Sequence, residues 1–448
     1  MKIKRKVLFL QGPTSTFWRE LGQALKANGH DVHKINFHVG DWLYWRSFNA
    51  SAYFGSIDEW EEYLDNYVEM HGITDILYYA DRVPYHVVAA RVGKVRGIRT
   101  VAIENGYLRP DWLTLELGGM AAHSHFPNDP EAIRRIAATL PEPDFDVRHS
   151  HKFSVEAVHE VTYNLSSYFV RWAFPRYHSD KYYNPLVDYV SFLFRLIRSG
   201  KEERRASSIV DGLLAGDAPF YVFPLQLQSD YQIRANSTFV HMSQMIEQVV
   251  GSFVAKAPQD SKLIFKLHPH DNGYENWPKV VRRVARRFGV DDRVTLIDGG
   301  DLNAMLGKAK GCILVNSTAG LHALRKHCPT KVLGIAVFDI PGLTHQGDLD
   351  SFWNAPEPVD QDLLDSFLRA MAASIQVKGS FYEPEGRKAA IAEIIDRMER
   401  NRINMPGCYV DPPPRLARAR AMGVPCAKPE PARPAVQTPA SVVPISRM

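Results

Sequence analysis

Ser261-Lys262-Leu263-Ile264-Phe265-Lys266-Leu267-His268-Pro269 runs from an apolar stretch with strand character straight into a histidine and a proline. Further along, Gly311-Cys312-Ile313-Leu314-Val315 does the same and delivers Asn316-Ser317-Thr318-Ala319-Gly320-Leu321-His322. Short apolar runs bounded by turn residues read as buried strands. In an open α/β sheet, ligands bind beyond the carboxyl ends of the strands. A Lys and a His at one strand end, with hydroxyls and a Gly at another, suit a phosphate or a nucleotide diphosphate. A capped strand-to-helix turn explains either segment alone; the two together point to a site.

Working outward, the pattern repeats. Strands are predicted over 7–10, 31–37, 75–79 and 99–103, separated by helices over 16–28, 56–71 and 83–93. Gly29 and Gly72 stand where helix C-caps belong. Residues 120–205 interrupt the alternation with aromatics, histidines and a long amphipathic stretch, Tyr189 to Lys201, which reads as helical decoration on the first domain. That stretch is aromatic and then basic, so it either packs on the core or lies on a membrane surface. From Pro219 the alternation restarts, with strands over 220–224, 262–267, 294–297, 312–315 and 331–333 and helices over 237–256, 278–288, 302–308 and 320–326. Strands separated by helices imply βαβ units and parallel sheets. The fold class is therefore α/β, with two Rossmann-like domains in a glycosyltransferase-B arrangement. The expected partition is 1–215, 216–400 and a Pro-rich tail, 401–448, with the helix over 386–401 folding back on the first domain.

Composition narrows the function classes. A chain of 448 residues is too long for one ordinary core. The net charge of +4 is concentrated at the C-terminus, where residues 401–448 carry seven Lys or Arg against two acids and ten of the 29 prolines. Such a segment is expected to be disordered. The remainder is close to neutral, which disfavours a nucleic-acid partner. No apolar run reaches the length of a transmembrane helix, and the apolar run after Met1-Lys-Ile-Lys-Arg-Lys is too short for a signal peptide. Four cysteines show neither metal spacing nor a disulfide framework, which fits a cytoplasmic setting.

No Gly-x-Gly-x-x-Gly, Walker A or Gly-x-Ser-x-Gly motif occurs. Asp348-Leu349-Asp350 has the form of a metal-binding Asp-x-Asp, but no strand leads into it, so no metal site is assigned. The remaining candidates are strand-end loops. Gln11-Gly12-Pro13-Thr14 follows the first strand, and Gly12 permits close approach of backbone to a ligand. Glu104-Asn105-Gly106-Tyr107-Leu108-Arg109 follows the fourth and sets a carboxylate beside an arginine. Pro224-Leu225-Gln226-Leu227-Gln228-Ser229-Asp230-Tyr231 opens the second domain with more amide, hydroxyl and carboxylate groups than a connector needs.

At these loops the chain resembles the KpsS/LipB-type capsule polysaccharide biosynthesis proteins, a family that includes β-Kdo transferases. The resemblance rests on Gln11-Gly12-Pro13, Glu104 to Pro110, Pro224-Leu225-Gln226 with Ser229-Asp230, Lys266 to Pro269, and Asn316 to Gly320, in that order. It implies CMP-Kdo as donor substrate, no cofactor, retention of the β configuration, and a phosphatidylglycerol-type glycolipid acceptor. It also implies a cytoplasmic protein, peripheral on the inner membrane beside the capsule biosynthesis and export machinery. Lys266, His268 and Pro269 are then expected to hold the CMP phosphate, with Asn316, Ser317, Thr318 and Gly320 beside it and Gln226 and Ser229 completing the donor site. Glu104 or Asp230 is the expected catalytic carboxylate, since Asn105 stands where some relatives carry a second acid. Gln11, Gly12, Asn105, Tyr107 and Arg109 fall on the acceptor or sugar side. Two other readings share these loops: a cytidine-diphosphate-polyol phosphotransferase, and a capsule assembly or export accessory without turnover.

Overall fold

The computed structural model describes residues 3–46 and 48–428. Its strands are β1 (Lys6–Phe9), β2 (Asp31–Asn36), β3 (Ala50–Ala52), β4 (Asp75–Tyr79), β5 (Arg99–Asn105), β6 (Trp112–Leu117), β7 (Phe220–Pro224), β8 (Lys262–Lys266), β9 (Val294–Ile297), β10 (Gly311–Leu314), β11 (Thr330–Val332) and β12 (Gln376–Lys378). They form a seven-stranded sheet in the order β12-β6-β5-β4-β1-β2-β3 and a five-stranded sheet in the order β11-β10-β7-β8-β9. The second sheet is parallel throughout, and the first is parallel from β5 to β3, with β6 reversed beside β5 and the edge strand β12 antiparallel to β6.

Parallel strands covered by helices on both faces are near-continuous apolar runs, and β7 and β8 read that way. Alternation along β8 sends Phe265 to the face packed by Met245, Ile246 and Val249 of helix Met242–Lys256. Ile264 goes to the opposite face, against Ala206, Val210 and Leu213 of helix Pro185–Ala215. The same alternation divides β1, where Phe9 meets Trp18 and Trp45 while Leu8 meets Trp60 and Tyr78. Helix Trp60–His71 ends on Gly72 at φ 60°, the left-handed cap its glycine supplies.

Four expectations need correction. The helix predicted over 237–256 begins at Met242, because His241 and Gln244 close a capping box there and residues 231–236 form a separate turn of helix. No strand is predicted over 112–117, where Thr114 and Glu116 alternate with leucines, yet β6 forms there and both polar side chains are buried. The partition also differs. Helix Pro185–Ala215 packs its C-terminal half on the second sheet, and the chain returns to the first sheet already at β12, before the helix predicted over 386–401. Helix Pro384–Glu399 does fold back, burying Ile391, Ile394 and Met398 beside Phe9 and Phe17.

The tail is shorter than its composition suggests. Residues 401–428 are folded: Ala419, Val424 and Ala427 pack on Ala122 and Ile335. Buried Arg415 donates to the carbonyls of Phe126 (2.6 Å), Pro127 (3.1 Å) and Val337. A proline-rich segment needs few intrachain hydrogen bonds of its own, so one arginine reaching three carbonyls can dock it. Residues 429–448, the rest of the expected tail, lie outside the described residues. Arg415→Ala strands those carbonyls, and we expect a loss of about 3 kcal/mol in chemical denaturation. A loss below about 0.5 kcal/mol, the scale of an ordinary surface substitution, would contradict this docking.

Candidate functional site

The carboxyl ends of the two sheets face each other across a cavity of about 500 Å³. Glu104, Asn105, Tyr107 and Arg109 reach it from the end of β5 and the following loop. Gln226, Ser229 and Asp230 reach it from beyond β7, His268 from beyond β8, and Asn316, Ser317 and Thr318 from beyond β10. Residues more than 200 positions apart in sequence thus line one space. Lys266, Pro269 and Gly320 do not line it, while Gln11 and Gly12 line an adjoining cavity of about 790 Å³.

On the first-domain side, the Tyr231 hydroxyl donates to one oxygen of Glu104, and Gln232 Nε2 donates to that same hydroxyl at 2.7 Å. The other Glu104 oxygen has no hydrogen-bond partner among the described residues. Burial raises the Glu104 carboxyl to about 7, against the pull of Tyr231 and Arg109. Beneath it Glu116 is fully buried, accepting from Ser124 Oγ and, at 3.1 Å, from Tyr107 Oη. Burial raises Glu116 to about 8, so at neutral pH it is mainly a neutral prop for the Tyr107 ring. Asn105 Nδ2 donates to Tyr79 Oη at 3.2 Å, and Arg109 Nε to the Gly106 carbonyl at 3.2 Å.

On the second-domain side, Gln226 and Asn316 are zipped together. Gln226 Nε2 donates to Asn316 Oδ1 at 2.8 Å, and the Asn316 backbone N–H donates to Gln226 Oε1 at 3.2 Å. These amides hold the loops after β7 and β10 at a fixed spacing. Asp230 caps the short helix Tyr231–Asn236 through the Gln232 N–H at 2.8 Å, and burial raises its pKa. The Thr318 hydroxyl makes no capping bond, and Ser317 Oγ accepts from Ala319 N–H at 3.2 Å. Gly320 is a packing position, because a Cβ there would strike the Phe338 ring.

His268 Nδ1 accepts from the His270 backbone N–H at 3.1 Å. Burial, then the neighbouring His270 and Arg109, lower its pKa to about 3, so the ring is neutral and its proton sits on Nε2. That nitrogen has no partner among the described residues and belongs to a side chain lining the cavity. Arg195, on helix Pro185–Ala215, fixes the loop that carries it. Its guanidinium donates to the carbonyls of Pro269 (2.5 Å), Asp271 (2.9 Å) and His268 (3.4 Å) and pairs with Asp298 at 2.5 Å. Lys266 lies on the face of β8 shared with Ile264, under that helix and in the field of Glu203, Asp298 and Asp301.

Among the described residues, Arg109 is the one Lys or Arg that lines the 500 Å³ cavity. It is the cation an anionic ligand there meets directly, with Arg195 and Lys266 acting on His268 from behind the lining. Arg109→Ala should weaken binding of a phosphate-bearing ligand in this cavity about tenfold at low salt and flatten its salt dependence, read by calorimetry at two ionic strengths. An unchanged salt slope would remove Arg109 from the site.

The adjoining cavity meets the first along Tyr79, Ser229 and Tyr231 on one side and Glu156, Glu160, Tyr183 and Asp188 on the other. Gln11 Nε2 sits 3.1 Å from both His38 Nε2 and Tyr177 Oη. Gly12 lines this cavity, and the Trp18 indole fills the place where a Cβ would go, so no larger residue fits there. Asp348 caps helix Leu349–Phe352 through Ser351 N–H at 2.8 Å. Sequence reasoning missed Tyr231, although it sits beside Asp230 in a loop already singled out. It also missed Arg195 and Glu116, whose partners come from other elements and leave no local signal.

A model of the family "capsule polysaccharide biosynthesis protein" matches residues 74–382. The chain is 31% identical over 383 residues to the Escherichia coli capsule polysaccharide export protein KpsS, covering 84% of this chain and 97% of that one. It is 30% identical over 388 residues to the Neisseria meningitidis capsule polysaccharide modification protein LipB, covering 84% and 91%. Among solved structures, a β-Kdo 2,7 transferase, KpsC of Thermosulfurimonas dismutans, aligns at 12% identity over 88% of this chain and all of that one, with a TM-score of 0.41.

Proposed function

The chain belongs to the capsule polysaccharide biosynthesis protein family, and from that premise we propose that it is a retaining β-Kdo glycosyltransferase. It takes Kdo from CMP-Kdo and transfers it to a phosphatidylglycerol-type lipid at the cytoplasmic face of the inner membrane. One observation carries the reading: polar strand-end loops of both sheets converge on one cavity of about 500 Å³. That volume falls in the range of roughly 300–1,000 Å³ usual for small-molecule sites.

The donor presents one phosphate at the anomeric carbon, so departure of CMP needs hydrogen-bond donors and modest positive charge. The neutral His268 Nε2–H, the Ser317 and Thr318 hydroxyls and Arg109 supply both. As the anomeric C–O bond breaks, its electron pair leaves with the phosphate. The Glu104 carboxylate attacks the oxocarbenium-like centre and forms a glycosyl-enzyme bond. The acceptor hydroxyl then attacks the same carbon, its proton passes to Asp230, and the bond to Glu104 breaks. Two inversions give net retention. Gln226 and Asn316 keep the donor loops in register, and Arg195 holds the His268 loop in place.

Among the described residues no helix is long and apolar enough to cross a membrane, so a lipid acceptor has to be met from the surface. The direct assay incubates full-length protein with CMP-Kdo and a fluorescent phosphatidylglycerol analogue and reads the product by mass spectrometry. A lipid heavier by one or more Kdo residues is expected. Turnover with CDP-glycerol but not CMP-Kdo would replace this reading by the phosphotransferase one.

A further inference from the structure

Helix Pro185–Ala215 is two things in one. Its C-terminal half buries Ala206, Val210 and Leu213 against the second sheet, while its N-terminal half turns an apolar stripe to solvent. Leu186, Val190, Leu193, Phe194 and Ile197 recur at the spacing of one helical face and are each 38–75% exposed. Helix Phe153–Phe169 lies beside it in the opposite direction, since Asn184 meets Tyr168, Tyr189 meets Asn164 and Phe192 meets Phe153. It adds exposed Val158 and Phe169, and the turn after it adds Trp172, 76% exposed. Contiguous exposed apolar surface of this kind marks an interaction site.

Two observations choose the occupant. Of the eight Lys or Arg in residues 171–205, Arg195 turns inward to Asp298, which leaves seven against four Asp or Glu, and helix Phe153–Phe169 adds Glu156 and Glu160, which line the cavity; the positive charge beside the stripe is that of Arg171, Arg198 and Lys201. A two-fold dimer would press that charge on itself, whereas an anionic bilayer complements it. Trp172, Tyr168 and Tyr182 also line the mouth of the 790 Å³ cavity, whose inner end reaches Tyr231, the partner of Glu104.

We infer that this two-helix face docks on an anionic phospholipid bilayer and that the lipid acceptor passes from the bilayer into the 790 Å³ cavity beside Trp172. The second half of this statement rests on the transferase reading; the first does not. Apolar side chains of the stripe enter the interface, and Arg171, Arg198 and Lys201 meet the anionic headgroups. Arg195, on the same helix, points the other way and holds the His268 loop, so the docked helix is continuous with the donor site.

The test is flotation of full-length protein with phosphatidylcholine vesicles, with and without phosphatidylglycerol, in the absence of any nucleotide sugar. Binding is expected only to the anionic vesicles, with the bound fraction falling about tenfold in Leu193→Glu/Ile197→Glu. Both positions are exposed, so the variant should keep its circular dichroism and melting temperature; Trp172→Ala is the milder second variant. Transfer to vesicle-embedded acceptor should fall in parallel, while transfer to a water-soluble glycerophosphate acceptor stays unchanged. Equal flotation of variant and wild type overturns the proposal. So does a wild-type dimer in light scattering that the double variant converts to monomer, which assigns the face to a second copy. Flotation without any transfer keeps the docking surface and rejects the transferase reading.

Discussion

Glu104→Gln is expected to lower kcat for Kdo transfer about a thousandfold while leaving the protein folded and its affinity for cytidine monophosphate within about twofold of wild type. Gln is nearly isosteric with Glu, and its amide oxygen still accepts from Tyr231, so the link across the cleft survives. Only the ionisable oxygen is lost, and an amide does not form the glycosyl-enzyme bond. The pH dependence follows from the same burial. With the carboxyl raised to about 7, the carboxylate we propose as nucleophile accumulates only as pH rises through that value. Wild-type kcat/KM should climb between about pH 6 and 8, and the residual activity of Glu104→Gln should lack this limb.

Stability gives an independent check with the opposite trend. Because the folded-state pKa lies above the ordinary 4.5, the native protein is penalised for ionising Glu104. That penalty is absent below about pH 4.5, grows as pH rises towards 7 and is constant beyond it. Glu104→Gln should therefore be more stable than wild type at pH 8, by about 3 kcal/mol, and indistinguishable near pH 4. A variant that keeps near-full transfer removes Glu104 from the chemistry, whatever its stability.

His268→Ala is the second large effect. The ring is neutral, its Nδ1 is committed to the His270 N–H, and its Nε2 proton is free to meet the leaving phosphate. Removing a preorganised donor aimed at developing charge costs about a hundredfold or more in kcat/KM. Cytidine monophosphate binding should weaken by a smaller factor, about tenfold, because charge builds on the phosphate mainly as the bond breaks. His268→Asn restores an N–H donor and should recover part of the loss. With its pKa near 3, His268 adds no limb to the pH profile above pH 5. A histidine-type limb lost in His268→Ala would mean that the ring works as an acid or base instead.

Much of the fold was legible because parallel strands advertise themselves. β4, β7 and β9 are apolar runs ended by turn residues, and they fall at their predicted limits. β6 hid because its buried face carries Thr114 and Glu116, polar groups satisfied by Gln376, Ser124 and Tyr107 from other parts of the chain. β12 is three residues long and leaves no periodic trace. Residues 401–428 were misread from proline content, since docking by Arg415 depends on carbonyls far away in sequence.

The same logic sorts the site. Loops that follow strands in parallel sheets share one end of the sheet, so His268 and Asn316 to Thr318 were readable from local pattern alone. Lys266 was grouped with His268 by adjacency, but it still belongs to β8, where alternation sends it under helix Pro185–Ala215. Tyr231, Glu116 and Arg195 act through partners on other elements. Nothing local distinguishes an aromatic that bridges a cleft from one that fills a core.

Titration of full-length protein with cytidine monophosphate, followed by calorimetry, bears most directly on the idea that both sheets serve one ligand. We expect a single site, weakened about tenfold by Arg109→Ala from the first domain and about tenfold by His268→Ala from the second. No binding, or binding that ignores either substitution, would contradict it.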